Sequence, residues 1–138
     1  MNNRITPEKV DFFDFPKSTY VLVGTNESGI HGLGFAKYCR MFGGLLRHQG
    51  FGPSGSCFGI PTKDWFVRQL PLDIIQFYVN RFIVLAKRTP GTTFWVTKIG
   101  CGLAGYTPEQ IAPLFKDCME LENVWLPQQF WNVLNIKV

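Results

Sequence analysis

The chain has 138 residues, 46% of them hydrophobic and 17% charged, with a net charge of +4 at neutral pH. A chain of this size buries roughly 68–70% of its unfolded surface, enough for a real core, and this composition describes a compact globular protein. Because the basic residues are scattered and no apolar run approaches the ~20 residues of a membrane span, the sequence argues against a nucleic-acid arm and against a membrane protein.

No signal-peptide pattern opens the chain, which gives the expectation of a cytoplasmic protein. Cys39, Cys57, Cys101 and Cys118 form no CxxC pair and have no histidine at ligand spacing. They read as reduced thiols, with no metal and no cofactor called for. One domain is expected over 1–138, with 1–18 an N-terminal arm and 127–138 a C-terminal tail.

In chain order, the FFDFP cluster ending at Pro16 suggests an arm whose rings plug an open end of the core. Thr19 to Val23 is an apolar run of the kind buried on both faces of a parallel sheet. Gly24 to Gly34 is turn chemistry throughout. Phe35 to Phe42 reads as a short helix with Phe35, Ala36 and Cys39 on one face, stopped by Gly43 and Gly44. Leu45 to Gly55 looks like an irregular loop, and Cys57 to Ile60 like a short strand cut by Pro61. A helix then starts between Pro71 and Asp73, capped by Asp73 with Gln76 behind it. Ile75, Tyr78, Val79, Phe82, Ile83 and Ala86 mark its buried face.

Phe94 to Thr97 is a second buried strand, emptying into a loop that holds Gly100, Gly102 and Gly105. Thr107, Pro108 and Gln110 are the cap, first position and capping-box partner of a following helix, with Ile111, Leu114 and Phe115 facing inward. Asn123 to Leu126 gives a last strand, and the aromatic tail beyond it is read as an edge strand or an association surface. Alternation of strands and helices predicts an α/β fold: a three-layer α/β/α sandwich on a mostly parallel sheet.

Two glycine loops after parallel strands, Gly24 to Gly34 and Gly100 to Gly105, bare their backbone N–H groups to an anion. Neither carries the Walker order or the dinucleotide fingerprint. Thr62, Lys63 and Asp64 add polar groups at a strand's carboxyl end, the edge where ligands lie in open α/β sheets.

Four segments, VLVGTNESGIHGLGFAKYC, CFGIPTKD, FWVTKIGCGLAGYTPEQIAPLF and NVWLP, together resemble a family of small phage and bacterial proteins of the macro-domain superfamily, from Tyr20 to Pro127. The resemblance implies a macro-domain-like sandwich whose crevice binds ADP-ribose or a relative. It implies that Asn26, with Gly29, Gly32 and Gly34, embraces the distal ribose. It assigns the diphosphate to Gly100, Cys101, Gly102, Leu103, Ala104 and Gly105, with Tyr106 beside the distal ribose. The sequence departs from the family in lacking an acidic residue at the start of the Thr19 strand, where adenine is usually received, and in carrying His31. A small viral protein of this kind would sequester or process a nucleotide signal in the host cytoplasm.

The individual residues leave alternatives open. Asn26 can serve a ribose hydroxyl or its own turn, and His31 can act as a general base, a phosphate donor or a turn residue. Lys63 with Asp64 suggests attack on an anomeric carbon with a carboxylate moving protons, although neighbours in an extended segment point to opposite sides. Cys101 is either an activated thiolate or a small packed residue. Trp65, Phe66 and Tyr106 either stack on a base or pack. The ligand set is therefore Gly24, Thr25, Asn26, Gly29, His31, Gly32, Gly34, Thr62, the Gly100 to Gly105 loop and Tyr106, with Asn26, His31, Lys63 and Asp64 as catalytic candidates. The favoured function is non-catalytic binding of an ADP-ribose-like nucleotide. The alternatives are a hydrolase removing ADP-ribose from a modified macromolecule and, with less support, a nucleic-acid binder. The aromatic tail allows a homo-oligomer.

Overall fold

A computed structural model describes residues 3–135. Strands β1 (Thr19–Asn26), β2 (Gly52–Ser54), β3 (Cys57–Lys63), β4 (Thr93–Val96) and β5 (Val124–Trp125) form one sheet in the order β2-β3-β1-β4-β5. β1 pairs in parallel with β3 and β4, β4 pairs in parallel with β5, and the β2–β3 edge is antiparallel. The helices are α1 (Gly34–Phe42), α2 (Leu72–Arg88), α3 (Pro108–Ile111) and α4 (Gln128–Leu134). The expected α/β architecture on a mostly parallel sheet is therefore the one observed.

Side chains alternate across each strand, and both faces are covered. Leu22, Phe58, Ile60, Phe94 and Val96 share one buried cluster with Val79 and Phe82 of α2, Phe115, and Phe130 of α4. Val23 and Cys57 face the other way and join Cys39 of α1 and Leu45, with Phe12 of the arm packed against them. Two-sided burial is why β1 reads as an unbroken apolar run. Two rings of the arm pack on the fold, Phe12 5.4 Å from Tyr38 and Phe15 edge-on to Trp95 at 5.3 Å, while Phe13 is 83% exposed.

Four local expectations need correction. Pro61 does not end its strand, which continues to Lys63. The reason is that β2 accompanies β3 only to Gly59, so beyond it the outer edge needs no N–H from Pro61. The cap of α2 is Pro71, not Asp73; Gln76 reaches to the Leu114 carbonyl at 2.9 Å instead of back to a cap. The capping box of Thr107 and Gln110 is present, but the helix it opens lasts four residues and tightens into a 3-10 helix over Ala112–Glu120. Pro113 has no N–H to bond back to Glu109, which removes an α-type bond at that junction. Finally, the tail is a helix and not an edge strand. Phe130 and Trp131 are buried in the main core, which takes these rings away from any association surface; Ile136 to Val138 lie outside the described residues.

Leu45 to Gly55 is likewise an anchored segment. A Cβ on Gly50 would fall 2.3 Å from the Asn26 carbonyl oxygen, so this chain runs directly behind the end of β1. Among the described residues no helix is long and apolar enough to cross a membrane.

Candidate functional site

The chain leaves central β1 for β3 on one side, then crosses back over β1 to β4. Such a reversal opens a crevice at the strands' carboxyl ends. A cavity of about 340 Å³ lies there, lined by Val23 to Asn26 of β1, Thr62 and Lys63 of β3, and Thr97 to Gly100 following β4. The pairing of β1 with β3 slips beside it, Thr25 facing Pro61 and Asn26 facing Lys63, so Thr62 is the extra residue of a bulge aimed at the site.

Two loops make the walls. The first enters α1 through Leu33, which supplies no side-chain cap, so the N–H groups of Gly34, Phe35 and Ala36 have no acceptor among the described residues. In the second loop Cys101, Gly105 and Tyr106 spend their N–H groups on Lys98, Gly102 and Gly100 carbonyls, while those of Gly102, Leu103 and Ala104 have no such acceptor. The loops approach closely: a Cβ on Gly34 would sit 3.7 Å from the Leu103 side chain, and one on Gly24 would sit 3.5 Å from the Gly100 nitrogen. Among the described residues Lys63 and Lys98 are the only charged ones in the lining, and neither is in an ion pair. The cavity thus offers donors and positive charge without a carboxylate.

Of the residues singled out from sequence, this cavity brings together Gly24, Thr25, Asn26, Gly32, Gly34, Thr62, Lys63, Gly100, Gly102, Leu103 and Ala104. Asn26 is there as a brace. Its amide nitrogen donates to the Ile30 carbonyl at 2.7 Å, and its oxygen accepts from the Ile30 N–H at 2.8 Å and the Ser28 hydroxyl at 2.9 Å. Gly29, His31, Asp64, Cys101, Gly105 and Tyr106 stand outside the lining.

Gly29, at φ 71°, lies so close to the His48–Gln49 backbone that a Cβ would approach it to 2.4 Å. His31 is only 2% exposed and neither ring nitrogen has a hydrogen-bond partner among the described residues. Burial holds its pKa below the ordinary 6.5; the nearby Gln49 carbonyl opposes this without reaching bonding geometry, and Arg40 adds to it. The Asp64 carboxylate accepts from the N–H groups of Phe66 and Arg68 and from the Arg68 guanidinium, which hold its pKa below the usual range. Burial pushes the Cys101 thiol up to about 11, so it is protonated at neutral pH. The Tyr106 hydroxyl donates to the Leu70 carbonyl at 2.5 Å, and Gln69 donates to the Ala104 carbonyl at 2.7 Å. Together these two bonds strap the second loop to the segment after β3.

Sequence reasoning did not include Ile30, Leu33, Phe35, Val67 or Lys98 in the site. Lys98 had a signal, since it follows a buried strand at its carboxyl end as Lys63 does. Val67 had none: it reaches the cavity only because the chain turns back after β3, where the Leu70 N–H bonds the Thr62 carbonyl at 3.0 Å.

No protein-family model matches the chain, and no curated protein matches it. Among solved structures, DarTG of Thermosipho africanus, determined in complex with ADP-ribose, aligns with a TM-score of 0.57 at 19% identity. The alignment covers 81% of this chain and 38% of that one, so the chain spans well under half of its neighbour's length. At that identity the likeness concerns the fold, and it is in its α/β fold that the chain is similar to a protein solved with ADP-ribose.

Proposed function

We propose that the chain is macro-domain-like and that its cavity receives ADP-ribose or a closely related sugar nucleotide, with binding rather than turnover as its main activity. The observation that carries this reading is the convergence, on one cavity at the sheet's switch point, of two lysines and two sets of backbone N–H groups without an acceptor, with no carboxylate in the lining among the described residues. Donors held rigidly toward an empty volume suit a pyrophosphate, whose charge is spread over several oxygens. The fold shared with a protein solved with ADP-ribose supports the choice of ligand. A phage protein of this kind would sequester a nucleotide signal in the cytoplasm.

Calorimetry and thermal shift with ADP-ribose, its cyclic and phosphorylated relatives, NAD and free nucleotides test the reading. A ligand at a hundred times its dissociation constant adds about 2.7 kcal/mol of stability, which such a panel detects. Lys98→Gln should weaken binding roughly ten-fold, the scale of one charged hydrogen bond. No stabilisation by any of them at millimolar concentration would remove the proposal.

A second reading, hydrolysis of ADP-ribose from a modified macromolecule, is favoured by Lys63 alone. Lys63 belongs to the cavity lining and has no ion-pair partner among the described residues; its neutral amine would displace the macromolecule from the anomeric carbon, the leaving atom taking up the proton the amine loses, and opening of the sugar at its ring oxygen would leave a Schiff base for water to cleave. Release of ADP-ribose that persists undiminished in Lys63→Ala rules out this role.

A further inference from the structure

The turn after β3 is built more tightly than a connection requires. Asp64 closes it from both ends, its own N–H bonding the Arg68 carbonyl at 2.7 Å while its carboxylate accepts from Phe66 N–H at 2.9 Å, Arg68 N–H at 2.9 Å and Arg68 Nε at 3.0 Å. Val67 is held at φ 66°, a region that a β-branched residue rarely enters. On this rigid frame Trp65 is 63% exposed and Phe66 is 72% exposed. Trp65 meets no other ring and no cation among the described residues, and Phe66 has only the Arg68 guanidinium, 5.2 Å from its centroid. The core gains nothing from either ring.

The same turn borders the cavity, because Val67 and Lys63 belong to its lining. That cavity is at the small end of the roughly 300–1,000 Å³ that small-molecule sites span, so a ligand with two sugars, two phosphates and a base extends past its mouth. Among the described residues no carboxylate lines the cavity to accept an exocyclic amino group. Recognition of the flat part of the ligand is therefore left to its faces and not to its edge.

We propose that Trp65 and Phe66 are a stacking platform for the nucleobase of the ligand whose phosphates lie in the cavity, so that the base sits outside on the ring faces. This rests on the reading of the cavity as a sugar-nucleotide site. Stacking accepts any base, because every base has a π face, and an exposed platform sets affinity without selecting strongly among them.

Calorimetry and tryptophan fluorescence on the full chain, with ADP-ribose as the probe, test the platform. The parent binds and its emission is quenched by the stacked adenine. Trp65→Ala and Phe66→Ala each weaken binding about ten-fold while leaving the melting temperature unchanged, as expected for exposed rings. Trp65→Phe keeps most of the affinity, since a ring remains, but loses the quenching. Unaltered affinity in Trp65→Ala, or quenching that persists in Trp65→Phe, overturns the platform and leaves the sugar-nucleotide reading standing. A parent that binds no ADP-ribose overturns both.

Discussion

His31 is the residue at which environment most changes chemistry. Burial without a hydrogen-bond partner among the described residues favours the neutral imidazole, and its lowered pKa makes folding sensitive to acid. The sign follows from linkage: above 6.5 both native and unfolded chains hold the ring neutral, and below it the unfolded chain takes up a proton that the native one refuses. Stability is full above 6.5 and is lost as the pH falls through the native value. The melting temperature of the parent should therefore drop between pH 7 and pH 5.5 more steeply than that of His31→Phe; equal slopes would show that the ring does not govern the transition. Asn26 makes the complementary point. A sequence presents it as a ligand for ribose or a brace for its turn; its side chain makes three hydrogen bonds within the turn, and the residue also belongs to the cavity lining.

At the scale of elements, patterning located the pieces and tertiary contacts set their ends. The spacing of Ile75, Val79, Phe82 and Ala86 identified α2 because its apolar face repeats with the helical period, and those residues are fully buried. The final twelve residues carry no such clarity, since a short aromatic run satisfies a strand or a helix equally well. Packing decided it: Phe130 lies 5.9 Å from Phe115, inside the layer that covers β4 and β5. Phe130→Ala should accordingly cost about 3–5 kcal/mol in chemical denaturation, the usual loss for a buried phenylalanine. A loss under 1 kcal/mol would mean that the tail is peripheral. The glycine loop after β4 shows the same division. Its lack of side chains was legible, whereas the two straps that hold it, from Gln69 to the Ala104 carbonyl and from Tyr106 to the Leu70 carbonyl, each join residues more than thirty positions apart.

Across the whole molecule, the segment around Arg4 meets the last helix and the residues before β5. Arg4 donates to the backbone carbonyls of Leu121, Val124 and Met119 and lies 5.2 Å from the Trp131 ring, whose indole N–H returns a bond of 2.7 Å to the Arg4 carbonyl. Arg4→Ala should destabilise the protein by about 1.5–3 kcal/mol, the range for charged hydrogen bonds, and Arg4→Lys should recover only part, because one ammonium lacks the planar fork that reaches several carbonyls at once. Full recovery by lysine would reduce the clasp to simple charge. Local chemistry was sufficient to determine the α/β class, the two glycine loops, the capping box at Thr107 and the buried strands, because each depends on backbone freedom or on the period of apolar residues within a few positions. Only the folded chain decided that both loops open on one cavity, that Lys98 and Val67 join its lining while His31 and Tyr106 do not, and that Trp65 and Phe66 stand exposed on the turn after β3. Those outcomes depend on strand order and on contacts between residues far apart in sequence, and such contacts leave no trace in local periodicity.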